Sequence, residues 1–240
     1  ASQEAAGSLS DALRGVEAPS SPANILRDDQ GNPLRVYRGQ HGGAEGLQTR
    51  GGSYSFGTED VARTYAESPN NVNDTVASPE VREYLISAEN PVINNPDDPF
   101  IDMPDVVKAV GREEALRIAN NPRVAASMEN TSKWQEEINA DGQWNSVQEY
   151  LAENPEGLDN LYAESYTLFD DPEIVDVFRR SGYDSAIHGG SGEAAMTPEY
   201  KIFDERQAVR PVDEGLDIEI GGPVREGMPD TPQVARPQGP

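Results

Sequence analysis

The chain contains no cysteine and only two histidines, His41 and His188. The first absence excludes disulfide frameworks, thiolate metal sites and cysteine nucleophiles, and leaves the redox compartment open. Each histidine sits beside glycine in a stretch that reads as loop, so a His-based triad or a two-His metal site would need both, from distant loops, and is disfavoured. Cations are also scarce: 19 Lys and Arg stand against 43 Asp and Glu, a net charge of −24. Such a field repels a phosphate backbone and argues against sequence-independent nucleic-acid binding; it favours solubility, and reads first as a solvated surface and only second as one for a basic partner. No apolar run of membrane-spanning length and no signal-peptide pattern occur, so neither membrane insertion nor ordinary secretion is supported. The apolar fraction of 35% and the mean hydropathy of −0.69 are low, so part of the chain is expected to be unpacked tail.

What remains is enough for a real core. At 240 residues the chain suits one domain with appendages or two small ones, and an initial Ala in place of Met fits a piece of something larger. "SLSDALRGVEAPSSPAN" offers a short amphipathic helix around 8–16 and then a Ser/Pro linker, so residues 1–30 read as an arm. "DDQGNP" at 28–33 is a turn cluster, and "LRVYRGQ" alternates as a strand with Leu34, Val36 and Arg38 on one face. Residues 39–52 hold six glycines and read as a loop. "SYSFGTEDVARTYAES" at 53–68 then runs from strand into helix, with Thr58 as N-cap and Val61, Ala62 and Tyr65 on one helical face. "VREYLISAENPVI" reads as a strand ended by Asn90-Pro91.

Between 95 and 170 the spacing turns helical and both tryptophans, Trp134 and Trp144, appear, which predicts a helical insertion or small lobe. "DDPEIVDVFRRSG" is a punctuated helix: Asp171 as N-cap, Pro172 at the first turn, an Ile174/Phe178 pair, Arg179 and Arg180 near the end, and Gly182 after it. It delivers the strand "YDSAIHGG", which a glycine-rich loop (189–198) joins to a neighbouring strand "EYKIFDE". From about 206 the chain becomes a Pro/Gly-rich tail with six prolines in its last thirty residues.

Several chemical readings fall away. The acidic run "NNPDDPFIDMPD" (94–105) lacks the ligand spacing of a calcium loop and reads as a solvated turn, so no metal site is expected. "HGGSG" (188–192) lacks the Lys-Ser/Thr and the strand-loop-helix order of a P-loop, and there is no dinucleotide-binding glycine fingerprint. Three separated elements are left: Arg38-Gly39 on a strand, the strand-helix unit 53–66, and Glu199 opening a strand. Singly, Arg38 also fits a surface ion pair, the aromatic residues also fit core packing, and Glu199 also fits a strand-edge charge.

Taken together and in order, "VYRG", "SYSFGTEDVARTYA" and "TPEYKIFD", with "GYDSAI" and "FDERQ" beside them, resemble the ADP-ribosyltransferase fold. The likeness is to the phage and polymorphic-toxin mono-ADP-ribosyltransferase domains of the Arg-Ser-Glu type, and it covers roughly 31–207. It implies an α+β domain with a split β-sheet core carrying the helical insertion, using NAD as co-substrate to modify a host target protein, delivered into a host cytoplasm or carried on a virion or in a larger polyprotein. By position it implies that Arg38, Gly39 and Gln40 lie along the NAD, where a planar guanidinium makes paired hydrogen bonds. It further implies that Ser55 supports the nicotinamide ribose or the catalytic carboxylate, that Tyr54 and Tyr65 sandwich nicotinamide with Phe56 as a competing first wall, and that Glu199 is the catalytic carboxylate. Thr197 stands where arginine-modifying members carry Gln or Glu, which puts arginine as acceptor in doubt. A degenerate module of this fold acting only as a structural or binding domain, and an NAD glycohydrolase, are the alternatives.

Overall fold

The computed structural model describes residues 24–41, 47, 49, 51–68, 79–191 and 197–211. The expected N-terminal helix, most of the glycine-rich loop and the tail beyond 211 lie outside these residues. The chain is a mixed helix-and-sheet protein, consistent with the α+β class that the resemblance implies.

Two sheets frame it. In the first, β1 (Arg35–His41), β3 (Pro79–Ile86) and β9 (Ala208–Val209) lie antiparallel in the order β1-β3-β9. In the second, β2 (Tyr54–Phe56), β8 (Pro198–Ile202), β7 (Ser185–Gly189) and β4 (Pro91–Asn95) are ordered β2-β8-β7-β4. Only the β4/β7 pair of this sheet is parallel. The sheets meet where Tyr37 and Gly57 exchange two backbone hydrogen bonds of 2.9 Å.

Between β2 and β3, α1 (Glu59–Glu67) starts at Thr58, whose hydroxyl accepts from the Val61 amide, and it buries Ala62 and Ala66. These small residues let the helix lie directly on β1: a Cβ at Gly39 would stand 1.9 Å from the Ala62 carbonyl oxygen. The predicted face of Val61, Ala62 and Tyr65 is therefore rotated, and Tyr65 points outward, 41% exposed.

The predicted helical segment is present and begins with a strand. β5 (Phe100–Asp102) pairs with β6 (Tyr162–Glu164), and between them lie α2 (Met103–Val110), α3 (Arg112–Ala119), α4 (Pro122–Glu129), a π-helical turn (Lys133–Ile138), α5 (Val147–Glu153) and a 3₁₀ turn (Pro155–Asn160). α6 (Ser165–Phe169) and α7 (Pro172–Arg180) return the chain to β7. α7 is punctuated as its sequence predicts: the Asp171 carboxylate accepts from the Glu173 and Ile174 amides, and the Tyr183 amide closes on the Phe178 carbonyl past Gly182, whose φ is +92°. One apolar cluster lies under these helices, built on Met103, Val106, Met128, Trp134, Leu158, Phe169 and Phe178; a smaller one, of Val36, Phe56, Tyr84, Ile86 and Ile202, fills the space between the sheets.

Four expectations are corrected. Gly39, Gln40 and His41 continue β1 rather than opening a loop. Asn90-Pro91 does not end strand structure: the Asp184 carboxylate accepts from the Glu89 and Asn90 amides, and the chain re-enters the other sheet as β4. His188 lies inside β7, not in a loop, and is fully buried. The body also extends past 31–207, because Leu26 donates to the Ile86 carbonyl and β9 adds to β3.

Candidate active site

Register decides what the second sheet presents on each side. Ser55 lies opposite Lys201, Lys201 opposite Ala186, and Glu199 opposite His188, so Ser55, Lys201, Glu199, Ala186 and His188 share one face. Tyr54, Phe56, Tyr200, Ile202 and Ile187 share the other, which meets the β1-β3 sheet.

The first face is organised by charge. The Lys201 ammonium, with its side chain 2% exposed, reaches Glu199 Oε1 at 2.8 Å, Asp170 Oδ1 at 2.7 Å and Ser55 Oγ at 2.7 Å. Burial alone would lower the Lys201 pKa, but the Glu199 and Asp170 carboxylates outweigh it and hold the ammonium above its ordinary value. For Glu199 burial works toward the neutral acid, while the Lys201 charge and hydrogen bonds from Lys201 and Ser55 prevail and keep its carboxyl below the usual range. Glu199 is thus a mostly buried, firmly ionised carboxylate, with 18% of its side chain still exposed. His188 is buried and stacked on Phe169, ring centroids 5.8 Å apart; desolvation lowers its pKa, which leaves a neutral imidazole beside Glu199. Its Nδ1 lies 2.7 Å from the Gly189 carbonyl oxygen, and its Nε2 has no hydrogen-bond partner among the described residues.

Arg38, on the other sheet, touches the backbone that carries Ser55. Its Nη1 donates to the Ser55 carbonyl at 2.7 Å, and its guanidinium lies 5.9 Å from the centroid of the Phe56 ring. Ser55 and Glu199, distant in sequence, are thus brought together through Lys201, while Arg38 meets the Ser55 backbone beside the Phe56 ring. The aromatic candidates are not gathered on the face of Glu199. Phe56, 2% exposed, packs edge-on against Tyr84 at 5.3 Å, so it is core and has no face to offer a ligand. Tyr54 is half-buried on the same side as Phe56, its phenol pushed up by desolvation and by Glu205 and Asp204. Gln40 is buried on β1 and, with its amide oxygen turned toward Arg82, accepts from that guanidinium at 2.9 Å. The close approach that Gly39 permits is to α1.

Three residues of the group were missed in the sequence: Lys201, Asp170 and His188. Lys201 carries a usable signal, since the two-residue period of β8 puts it on the face of Glu199 and within the width of the sheet. Asp170 has none, because it arrives from the end of the helical segment. A surface groove of about 470 Å³ lies elsewhere, lined by Tyr37, Glu59, Arg63, Glu67, Val81 and Glu83 beside α1. Among the described residues no group of three or more His, Cys, Asp or Glu side chains is arranged to hold a metal ion, and no helix is long and apolar enough to cross a membrane.

Comparison with protein families, curated proteins and solved structures gives no match for this chain.

Proposed function

We propose that the protein is an NAD-dependent mono-ADP-ribosyltransferase with an ADP-ribosyltransferase-like split-sheet core, acting as a phage- or toxin-type effector on a host protein. The observation that carries this reading is that Ser55 and Glu199, from distant segments, meet through Lys201 at one ionised and partly exposed carboxylate, with Arg38 hydrogen-bonded to the Ser55 carbonyl. Cleavage of the nicotinamide–ribose bond sends the bonding electron pair out with nicotinamide and leaves positive charge on the ribose. A fixed carboxylate against the ribose hydroxyls stabilises that charge more than it stabilises bound NAD, which is the condition for catalysis. An acceptor nucleophile on the target then bonds to the anomeric carbon and gives up its proton. Arg38 would hold the phosphate or ribose side of NAD, and Ser55 would orient Glu199.

Incubation with labelled NAD and a cell lysate is expected to label protein, and Glu199→Ala to lower the rate on the order of 10²-fold or more. Labelling at the wild-type rate by that variant would overturn the reading. One observation favours a second reading, a binding or virion-structural module of the same fold: the Lys201 ammonium sits directly on Glu199 and offsets its charge. Calorimetry separates the two, since NAD binding heat is expected of the enzyme and none of the module.

A further inference from the structure

Lys201 uses all three of its ammonium donors, on Glu199, Asp170 and Ser55. One carboxylate suffices to balance a buried ammonium, yet two flank it, so the cluster keeps one net negative charge. That surplus is what a carboxylate must have if it is to act on a developing cation. We infer that Asp170 is a positioning residue for Glu199: by holding the far side of the Lys201 ammonium, it limits how much of that cation's charge Glu199 absorbs. This rests on Glu199 being the carboxylate that meets NAD.

Asp170 is fixed from the backbone outward. It follows α6, and its carbonyl lies so close to Gly51 that a Cβ there would come within 1.7 Å of its oxygen. Arg123 Nη1 donates to the same carbonyl at 3.3 Å, and Ser53 Oγ donates to the carbonyl of Phe169 at 2.6 Å. The helical segment thus delivers a counter-charge to the site at a set depth. The groups around Glu199 are Lys201 on β8, His188 on β7, Ser55 on β2 and Asp170 after α6, with Arg38 of β1 reaching the Ser55 carbonyl behind them. His188 is neutral, so the balance lies between the two carboxylates and the Lys201 ammonium that touches both.

Carboxyl NMR on the ligand-free protein, with the Glu199 signal assigned through Glu199→Gln, reads this coupling without any activity. Asp170→Asn removes a like charge and gives Lys201 undivided to Glu199, so the Glu199 midpoint is expected to fall by about one pH unit. In NAD cleavage the same variant should lose about tenfold in kcat with KM within about twofold, as for other residues that orient a reacting group. Its acid limb should move to lower pH, and Asp170→Glu, which keeps the charge, should restore that limb. The Lys201 ammonium signal supplies a second reading of the contact: in the wild-type protein it should shift as Glu199 is protonated, and by more in Asp170→Asn. An unchanged Glu199 midpoint in folded Asp170→Asn, or a Lys201 shift no larger than in the wild-type protein, would overturn the inference. Absence of NAD cleavage by the wild-type protein would instead overturn the transferase reading, while the titrations would still decide whether Asp170 and Glu199 share Lys201.

Discussion

The two sides of strand β8 follow different rules. Tyr200 and Ile202 face a packed interior with Phe56, Val36, Tyr84 and Ile86, where stability comes from area removed from water and from the fit of rings. Glu199 and Lys201, the alternate residues of the same strand, face a cluster in which each buried charge is tolerable only because the next one is there. The apolar side tolerates graded change, whereas the charged side depends on a closed set of partners. A reacting group belongs on the second kind of surface, since only there does a change in substrate charge meet fixed charges.

The largest effect expected from breaking this contrast is on the apolar side. Phe56→Ala empties a fully buried site and should cost about 3–5 kcal/mol in urea unfolding, nearly independent of pH. Lys201→Met keeps much of the volume but leaves Glu199 and Asp170 unpaired, which should cost about 3 kcal/mol near neutral pH. That loss should shrink on acidification, because protonated carboxyls need no counter-ion. Equal pH dependence in the two variants would erase the distinction between the faces.

The wild-type pH profile sharpens it further. Glu199 has its folded pKa depressed, so its contribution is present above its ordinary 4.5 and is lost as pH falls through the folded value. His188 is also depressed, so the unfolded chain takes up its proton first and stability declines as pH falls below 6.5. Lys201 is raised: its contribution is complete below 10.5 and disappears as pH rises through the folded value. Tyr54 and Tyr200 are raised as well and cost stability once pH passes 10.0, so a plateau from about 6.5 to 10 follows, and His188→Phe should extend its lower edge toward 4.5 in chemical denaturation across pH; an unmoved edge would remove His188 from this account. The smallest effect belongs to Tyr65→Ala, expected within about 0.5 kcal/mol because the ring is exposed. If Tyr65 covers nicotinamide as the resemblance implies, the same variant should raise the KM for NAD.

Legibility tracked how far each signal reaches along the chain. α7 was readable to the residue because Asp171, Pro172 and Gly182 act on their own backbone. Thr58 and the strands at Val36 and Tyr200 were readable for the same reason. β4 was not, since Asn90-Pro91 looks like a stop and the parallel pairing that rescues it comes from β7, about ninety residues on. The site divides in the same way: Arg38, Ser55 and Glu199 lie in recognisable local settings, but Lys201 was overlooked because buried lysines are rare. Gly39 shows the ambiguity of a glycine, since the helix that crowds it lies twenty residues away.

Both ends of the helical segment lie on the charged sheet. It leaves where the Gly189 amide donates to the Asp98 carbonyl at 2.9 Å and where Asn95 sits beside His188, and it returns at Asp170 on Lys201. A shortened graft that joined residues 96 and 169 by a plain linker would keep the strands and the inter-sheet core yet have nothing to hold Asp170 at its depth. The segment is therefore not a detachable module: its two ends, rather than its outer helices, set the depth of Asp170.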